Sequence, residues 1–217
     1  MPKSLVALAL AGLLALSACG NSTGTDSTGS ASAEASSAAS KHIDPDNFAH
    51  ELIDAMQKTG TFVSDSTSSV DFNGQTITST VHIEYDMTDP QNMKVHVTSN
   101  KDDGQTMETI MIGKTVYMKL PGADKWSSRT AETAEAAAAL TLPEDTTATE
   151  IGPETINGIE TTHYQVMNPI LGSPMDYWID TKGRPVRTTI ESINTDYSGF
   201  GEPVNIQAPD PSEVTQG

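Results

Sequence analysis

Few residues of this chain could do chemistry. There is one cysteine, Cys19, and five histidines, His42, His50, His82, His96 and His163. Gly-x-Ser-x-Gly, His-Glu-x-x-His and a P-loop are all absent, so no familiar hydrolytic or nucleotide-binding constellation can be assembled. No two histidines have the spacing that would put ligands on one helical face, and each sits among polar neighbours. Asp102-Asp103-Gly104 lacks the repeated acids and terminal Glu of a calcium loop and reads as a turn. Trp126 and Trp178 read as core anchors ahead of ligand contacts. The expectation is a protein that is not an enzyme and holds neither metal nor cofactor.

Cys19 is different, because of what precedes it. Lys3 is followed by an unbroken apolar run of 12 residues, Leu5 to Leu16, and then by Ser17-Ala18-Cys19. A membrane-spanning helix needs about 20 apolar residues, so the run reads as a secretory signal. Leu16-Ser17-Ala18-Cys19 resembles the bacterial lipobox, in which the cysteine sulfur receives a diacylglyceryl group and the preceding peptide is removed. With no second cysteine, a disulfide role is excluded. Residues 1–18 are thus expected to be a lipoprotein signal peptide and Cys19 the lipidation site. The mature chain would be a palmitate-type lipid-anchored protein on the extracytoplasmic face of the cell membrane.

Twelve basic and 29 acidic residues give the full chain a charge of −17; loss of residues 1–18 removes only Lys3 and leaves −18. Nucleic acid and anionic surfaces call for clustered Lys and Arg, so nucleic acid is excluded as a partner. Attachment to a membrane must then come from acyl chains. Residues 19–43 carry the lipidated terminus and a Ser/Ala/Thr/Gly stretch with too little apolar surface to fold. As a flexible tether its 21 residues from Gly20 to Ser40 would span roughly 25 Å. Residues 44–211 are enough for one domain with a single hydrophobic core, and 212–217 are expected to be a flexible tail. A monomer is expected.

Within the domain, Asp44 before Pro45 suits a helix start, and Phe48, Leu52 and Met56 form one apolar stripe that ends near Gly60. From Thr61 the period is two. Asn73-Gly74 predicts a tight hairpin that sets Phe62 opposite Tyr85, Ser64 opposite Ile83 and Val70 opposite Ile77 on one face, all buried, with Asp65 and His82 on the other. A second hairpin around Gly113-Lys114 pairs Met111 with Val116, Thr109 with Met118 and Met107 with Leu120. Thr130 to Leu140, rich in alanine, predicts a second helix. Asn157-Gly158 marks another hairpin, Asn168 to Met175 an apolar loop, and Gly183 a three-residue turn with Asp180 beside Arg184 and Trp178 beside Val186. The tail has room for at most one short strand, near Val204-Asn205-Ile206. The sum is α+β: roughly eight to eleven antiparallel strands in meander order, with two helices.

Several stretches together resemble a known group: Thr115-Val116-Tyr117-Met118-Lys119, Trp126, Asn157-Gly158-Ile159-Glu160-Thr161-Thr162-His163-Tyr164, Asp176-Tyr177-Trp178-Ile179-Asp180 through Arg184-Pro185-Val186-Arg187, and Gly201-Glu202-Pro203-Val204-Asn205-Ile206. With the lipobox, tether and first helix, they resemble the actinobacterial LppX/LprG lipoproteins, which share the half-barrel fold of the carrier LolA. The resemblance covers about Phe48 to Pro211. It implies a large curved antiparallel sheet with helices packed on its concave face, and acyl chains of a lipid or lipoglycan held between them.

One predicted sheet face is rich in methionine, a side chain suited to varied apolar partners and equally to filling a core. Met107, Met111, Val116, Met118, Leu120, Ile83, Tyr85 and Val95 are therefore the candidate cavity residues. The expected function is binding or carriage of an amphiphilic lipid. The alternative is a non-enzymatic interaction or sensor protein of the cell envelope, with its cavity collapsed.

Overall fold

The local rules at the start of the domain are obeyed. In the computed structural model, which describes residues 42–72, 75–130, 142–143, 145–167 and 172–216, the Asp44 carboxylate accepts from the Asp46 N–H and the Asn47 side chain, both at 3.1 Å. Pro45 opens a 3-10 turn, Pro45–Asn47, that leads into helix α1, Phe48–Thr59. Phe48, Ala49, Leu52, Ala55 and Met56 are buried along one stripe. The helix stops at Gly60, at φ +82°, whose N–H returns to the Met56 carbonyl at 3.2 Å. A left-handed residue is required there, and a Cβ would also sit 3.1 Å from the Thr88 methyl, so glycine is needed on both counts.

Apart from a second 3-10 turn, Pro211–Glu213, the remaining described elements are strands: β1 (Thr61–Phe72), β2 (Gln75–Asp86), β3 (Lys94–Lys101), β4 (Thr106–Ile112), β5 (Thr115–Lys119), β6 (Trp126–Thr130), β7 (Thr149–Ile156), β8 (Ile159–Met167), β9 (Pro174–Asp180), β10 (Pro185–Ile190), β11 (Ile193–Ser198) and β12 (Val214–Gln216). They form one sheet in the order β12-β6-β5-β4-β3-β2-β1-β11-β10-β9-β8-β7. Every neighbouring pair is antiparallel except β12 with β6. The chain thus meanders from β1 outward to β6, restarts at the far edge with β7, and meanders back to close against β1 through β11.

α1 lies on one face of this sheet and defines its core. Phe48 and Leu52 pack with Ile43, Tyr164, Val166, Tyr177 and Ile179 over β8 and β9. At the helix's other end, Met56 packs with Phe62, Tyr85, Met87 and Val95 over β1 to β3. Burying each of these large apolar side chains contributes about 1.5–3 kcal/mol, which is what fixes the helix across the strands. On the opposite, outer face, Val204 and Ile206 of the tail and Val214 of β12 pack on Ile110, Trp126 and Tyr117 toward β4–β6.

Register follows the turn chemistry. Phe62↔Tyr85, Ser64↔Ile83, Asp65↔His82 and Val70↔Ile77 are all formed, and Phe72↔Gln75 closes the ladder. The Asn73-Gly74 turn itself lies outside the described residues. Met111↔Val116, Thr109↔Met118 and Ile110↔Tyr117 are formed as well, and Asn157 and Gly158 both have positive φ, as a two-residue hairpin turn demands.

Several expectations need correcting. Val70 and Ile77 share the helix-bearing face but are 56% and 49% exposed, because the outer third of the β1–β2 hairpin runs past everything that α1 covers. Met107 does not pair with Leu120: β5 ends at Lys119, and Leu120 is 54% exposed. Trp178 stands opposite Arg187, not Val186, since the β9–β10 ladder slips by one residue between Pro185 and Arg187. Among the described residues the strands number twelve, above the predicted range, and the short tail strand is Val214–Gln216 in place of Val204–Ile206, so residues 212–217 are not all loose. Ile43, placed at the end of the tether by composition, is fully buried, and its carbonyl accepts from the Tyr164 hydroxyl at 3.0 Å. Among the described residues there is one α-helix. The predicted second helix, apart from Thr130 at the end of β6, falls outside them.

Candidate functional site

The register assigns every strand residue to one of two faces, and the candidate residues can be followed row by row. On the helix-bearing face one row runs Phe62, Tyr85, Val95, Met111, Val116 and Arg129 across β1 to β6. The next runs Ser64, Ile83, Val97, Thr109, Met118 and Ser127. A third runs Ser66, Val81, Ser99 and Met107. Seven of the eight predicted cavity residues therefore share one face; Leu120 lies beyond the end of its strand. Tyr85, Val95, Met111 and Val116 are buried, whereas Ile83, Met107 and Met118 are half-buried along with Val81 and Val97. The apolar row closest to the end of α1 is closed, and the rows beyond it grow progressively more open.

Along β1 and β11 the same face turns polar. Ser66 and Thr195 share a hydrogen bond of 2.8 Å, as do Ser68 and Ser79. Burial pushes the hydroxyl pKa values of Tyr85, Tyr177 and Tyr197 well above the ordinary tyrosine value, so all three remain neutral donors. Tyr164 is raised to about 12, first by burial and then by the charge of Glu150. The hydroxyls find partners, Ser64 for Tyr85 and Thr188 for Tyr197, which is how a buried phenol is retained without penalty.

The charged side chains are sorted between the faces. β1 to β6 and β9 to β11 contain eight acidic residues: Asp65 and Asp71, Glu84 and Asp86, Glu108, Asp176 and Asp180, and Asp196. By strand parity all of them are on the outer face. There six of them pair with cations or histidines of neighbouring strands, and Asp180 pairs with Arg184 of the turn that follows it. Arg187 makes a two-pronged contact with Asp196 at 2.7 and 3.0 Å, and its pKa rises in consequence. His82 Nδ1 meets Asp65 at 2.7 Å, and His96 Nδ1 meets Glu84 at 3.1 Å. His163 lies 2.9 Å from Asp176 and stacks on Trp178 at 4.6 Å, while the Trp178 indole donates to Glu154 at 2.7 Å. Trp178 is thus a surface anchor of the outer face, whereas Trp126 is core. Among the described residues no group of three or more His, Cys, Asp or Glu could hold a metal ion. On the helix-bearing face of those nine strands the only charged residues are Lys101 and Arg129. Sequence reasoning fixed both hairpin registers but drew no conclusion from this sorting, although the period-two positions of the acids already contained it.

A cleft of about 390 Å³ lies at the other edge, between β7, β8 and β9, lined by His42, Glu154, Glu160, Thr162 and Asp180 among others. Most of its lining residues are polar or charged. Cys19 lies outside the described residues, among which no helix is long and apolar enough to cross a membrane.

No family model and no curated protein matches the chain. Solved structures do. LprF from Mycobacterium bovis, an LppX/LprG-type lipoprotein, matches at 16% identity with a TM-score of 0.49, over 76% of this chain and 96% of that one. MucB in complex with MucA matches at 14% identity and a TM-score of 0.47, over 77% of this chain, which spans only 59% of the MucB chain. A domain described as an outer membrane lipoprotein-sorting protein, from Vibrio parahaemolyticus, matches at 10% identity and a TM-score of 0.36, over 70% of this chain and 88% of that one. TM-scores below 0.5 at such identities say nothing about ligand or partner.

Proposed function

We propose that the protein is a membrane-anchored, extracytoplasmic lipoprotein that binds an amphiphilic lipid against the helix-bearing face of β2 to β5. The observation that carries this reading is the graded apolar surface of Ile83, Val97, Met107 and Met118, continuous with a closed row at Tyr85, Val95, Met111 and Val116 and only half-buried itself. An acyl chain laid on those rows would lose about 0.8 kcal/mol of exposure cost per methylene buried. Methionine and β-branched neighbours can repack around chains of differing shape. The second reading, an envelope interaction or sensor protein without a lipid, is favoured by the closure already present at Met111 and Val116 and by the polar residues that line most of the cleft at β7 to β9.

Mass spectrometry of organic extracts decides between them, using full-chain protein carrying Cys19→Ala so that ligand is not confused with anchor. The same variant should leave the fold intact and release the protein from membranes. Retention in the membrane fraction after a high-salt wash would show that Cys19 is not the anchor. Met118→Asp separates cavity wall from packed core. On a hydrated wall the carboxylate costs little stability and lipid recovery falls severalfold; in a dry core the cost is several kcal/mol, seen as a large drop in Tm. A large drop together with no lipid in the parent protein leaves the interaction reading.

A further inference from the structure

We propose that the lipid taken up is an anionic glycerophospholipid, its phosphate held by Lys101 at the open end of the apolar face. This rests on the lipid-binding reading and adds the chemistry of the headgroup. The argument begins with charge. In a chain of 29 acids and 12 bases, the helix-bearing face of nine strands bears no acid and two bases. Eight carboxylates on those strands all lie on the other side of the sheet. A face meant only to be core would gain nothing from a cation at its open rim, and a face meant for a cationic ligand would carry acids.

Geometry selects Lys101. It pairs in register with Ser79, in the row beyond Val81, Ser99 and Met107, and is exposed. This is the end at which the apolar rows open, the same end as exposed Val70 and Ile77, and opposite the closed row under Met56. Among the described residues Lys101 makes no ion pair. The two acids that follow it in sequence are bonded within their own loop and to β2: Asp102 accepts from the Thr78 N–H and Asp103 from the Gln105 N–H at 3.0 Å. Arg129, also exposed, stands on β6 opposite Val116, at the other end of the rows, and already has a partner.

Energetics gives the cation its importance. An acyl chain leaving a bilayer is already in hydrocarbon, so apolar contacts with the protein repay the transfer without distinguishing one lipid from another. Discrimination falls to the polar end, where a charge-assisted hydrogen bond is the strongest contact on offer. The four strands β2 to β5 span three interstrand spacings, about 14 Å, wide enough for two chains side by side, which favours a two-chain phospholipid over a fatty acid.

The test offers the full chain carrying Cys19→Ala to vesicles of dioleoylphosphatidylglycerol or dioleoylphosphatidylcholine, and separately to oleate, at physiological salt. Lipid carried off by the protein is measured by mass spectrometry. The expected result is about tenfold more phosphatidylglycerol than phosphatidylcholine, reduced to near equality by Lys101→Gln and restored by Lys101→Arg. All variants should melt with the parent, since Lys101 is exposed. Equal uptake of both phospholipids, or a preference that survives Lys101→Gln, overturns the headgroup assignment while leaving lipid binding standing. Uptake of oleate with refusal of both phospholipids overturns the two-chain assignment. Failure to take up any of the three removes the lipid-binding reading itself, and this inference with it.

Discussion

Phe48→Ala lowers the stability of the domain by about 3–5 kcal/mol, the usual cost of deleting a fully buried aromatic side chain. Phe48 has no exposed surface and is clamped between Tyr164 and Tyr177, with ring centroids 5.3 and 5.2 Å away. It is also the first residue of α1, so its loss loosens the helix from β8 and β9 at the point where the cluster of Ile43, Leu52, Val166 and Ile179 converges. In a domain of this size each kcal/mol shifts Tm by about 2–4 °C, so a fall of roughly 10 °C or more is expected in a thermal melt. Ile77→Ala is the contrast. That side chain is half exposed at the hairpin tip, and its removal should change stability by no more than about 0.5 kcal/mol. Equal effects at the two positions would mean that α1 does not organise the core.

That contrast shows where the sequence was legible. Turn chemistry determines register, because a two-residue turn leaves no freedom in which residues face one another: the pairs from Phe62↔Tyr85 to Asp71↔Thr76, and from Glu108↔Lys119 to Ile112↔Thr115, could be written down from Asn73-Gly74 and Gly113-Lys114. Parity then determines face. Neither determines cover. Whether Val70 is buried depends on how far α1 reaches across the strands, a tertiary fact with no local signal, and so the sidedness was right while the burial failed at the hairpin tip. The slip at Val186 and the parallel pairing of Val214–Gln216 with β6 were invisible for the same reason. Nothing near Pro185 marks a bulge, and a three-residue strand needs only a free edge and the Thr215 hydroxyl bonded to the Trp126 carbonyl at 2.9 Å. The candidate site was legible as a face and not as a cavity. Its chemistry, an apolar surface cleared of acids with Lys101 at its rim, needed the faces to be followed across all the strands at once.

Raising the pH should unfold the protein between about pH 10 and 12. Burial holds the hydroxyls of Tyr85, Tyr164, Tyr177 and Tyr197 above the ordinary tyrosine value in the folded state, Tyr164 at about 12. Folded pKa values above the unfolded ones mean a contribution to stability that is complete below pH 10 and is lost as the pH climbs toward the folded values. Each tyrosine that ionises only on unfolding removes about 1.4 kcal/mol per pH unit over that range. Several together exhaust the ~5–15 kcal/mol on which a domain depends. Tyrosinate absorbance and far-UV circular dichroism should therefore change together, in one steep transition. Tyr85→Phe removes one ionisable group, so its transition should be shallower. The loss of the bond to Ser64 would cost it about 1 kcal/mol at neutral pH. Tyrosinate absorbance rising smoothly around pH 10 over an unchanged dichroism spectrum would mean that these hydroxyls are open to water, and that the face under α1 is not the dry surface described.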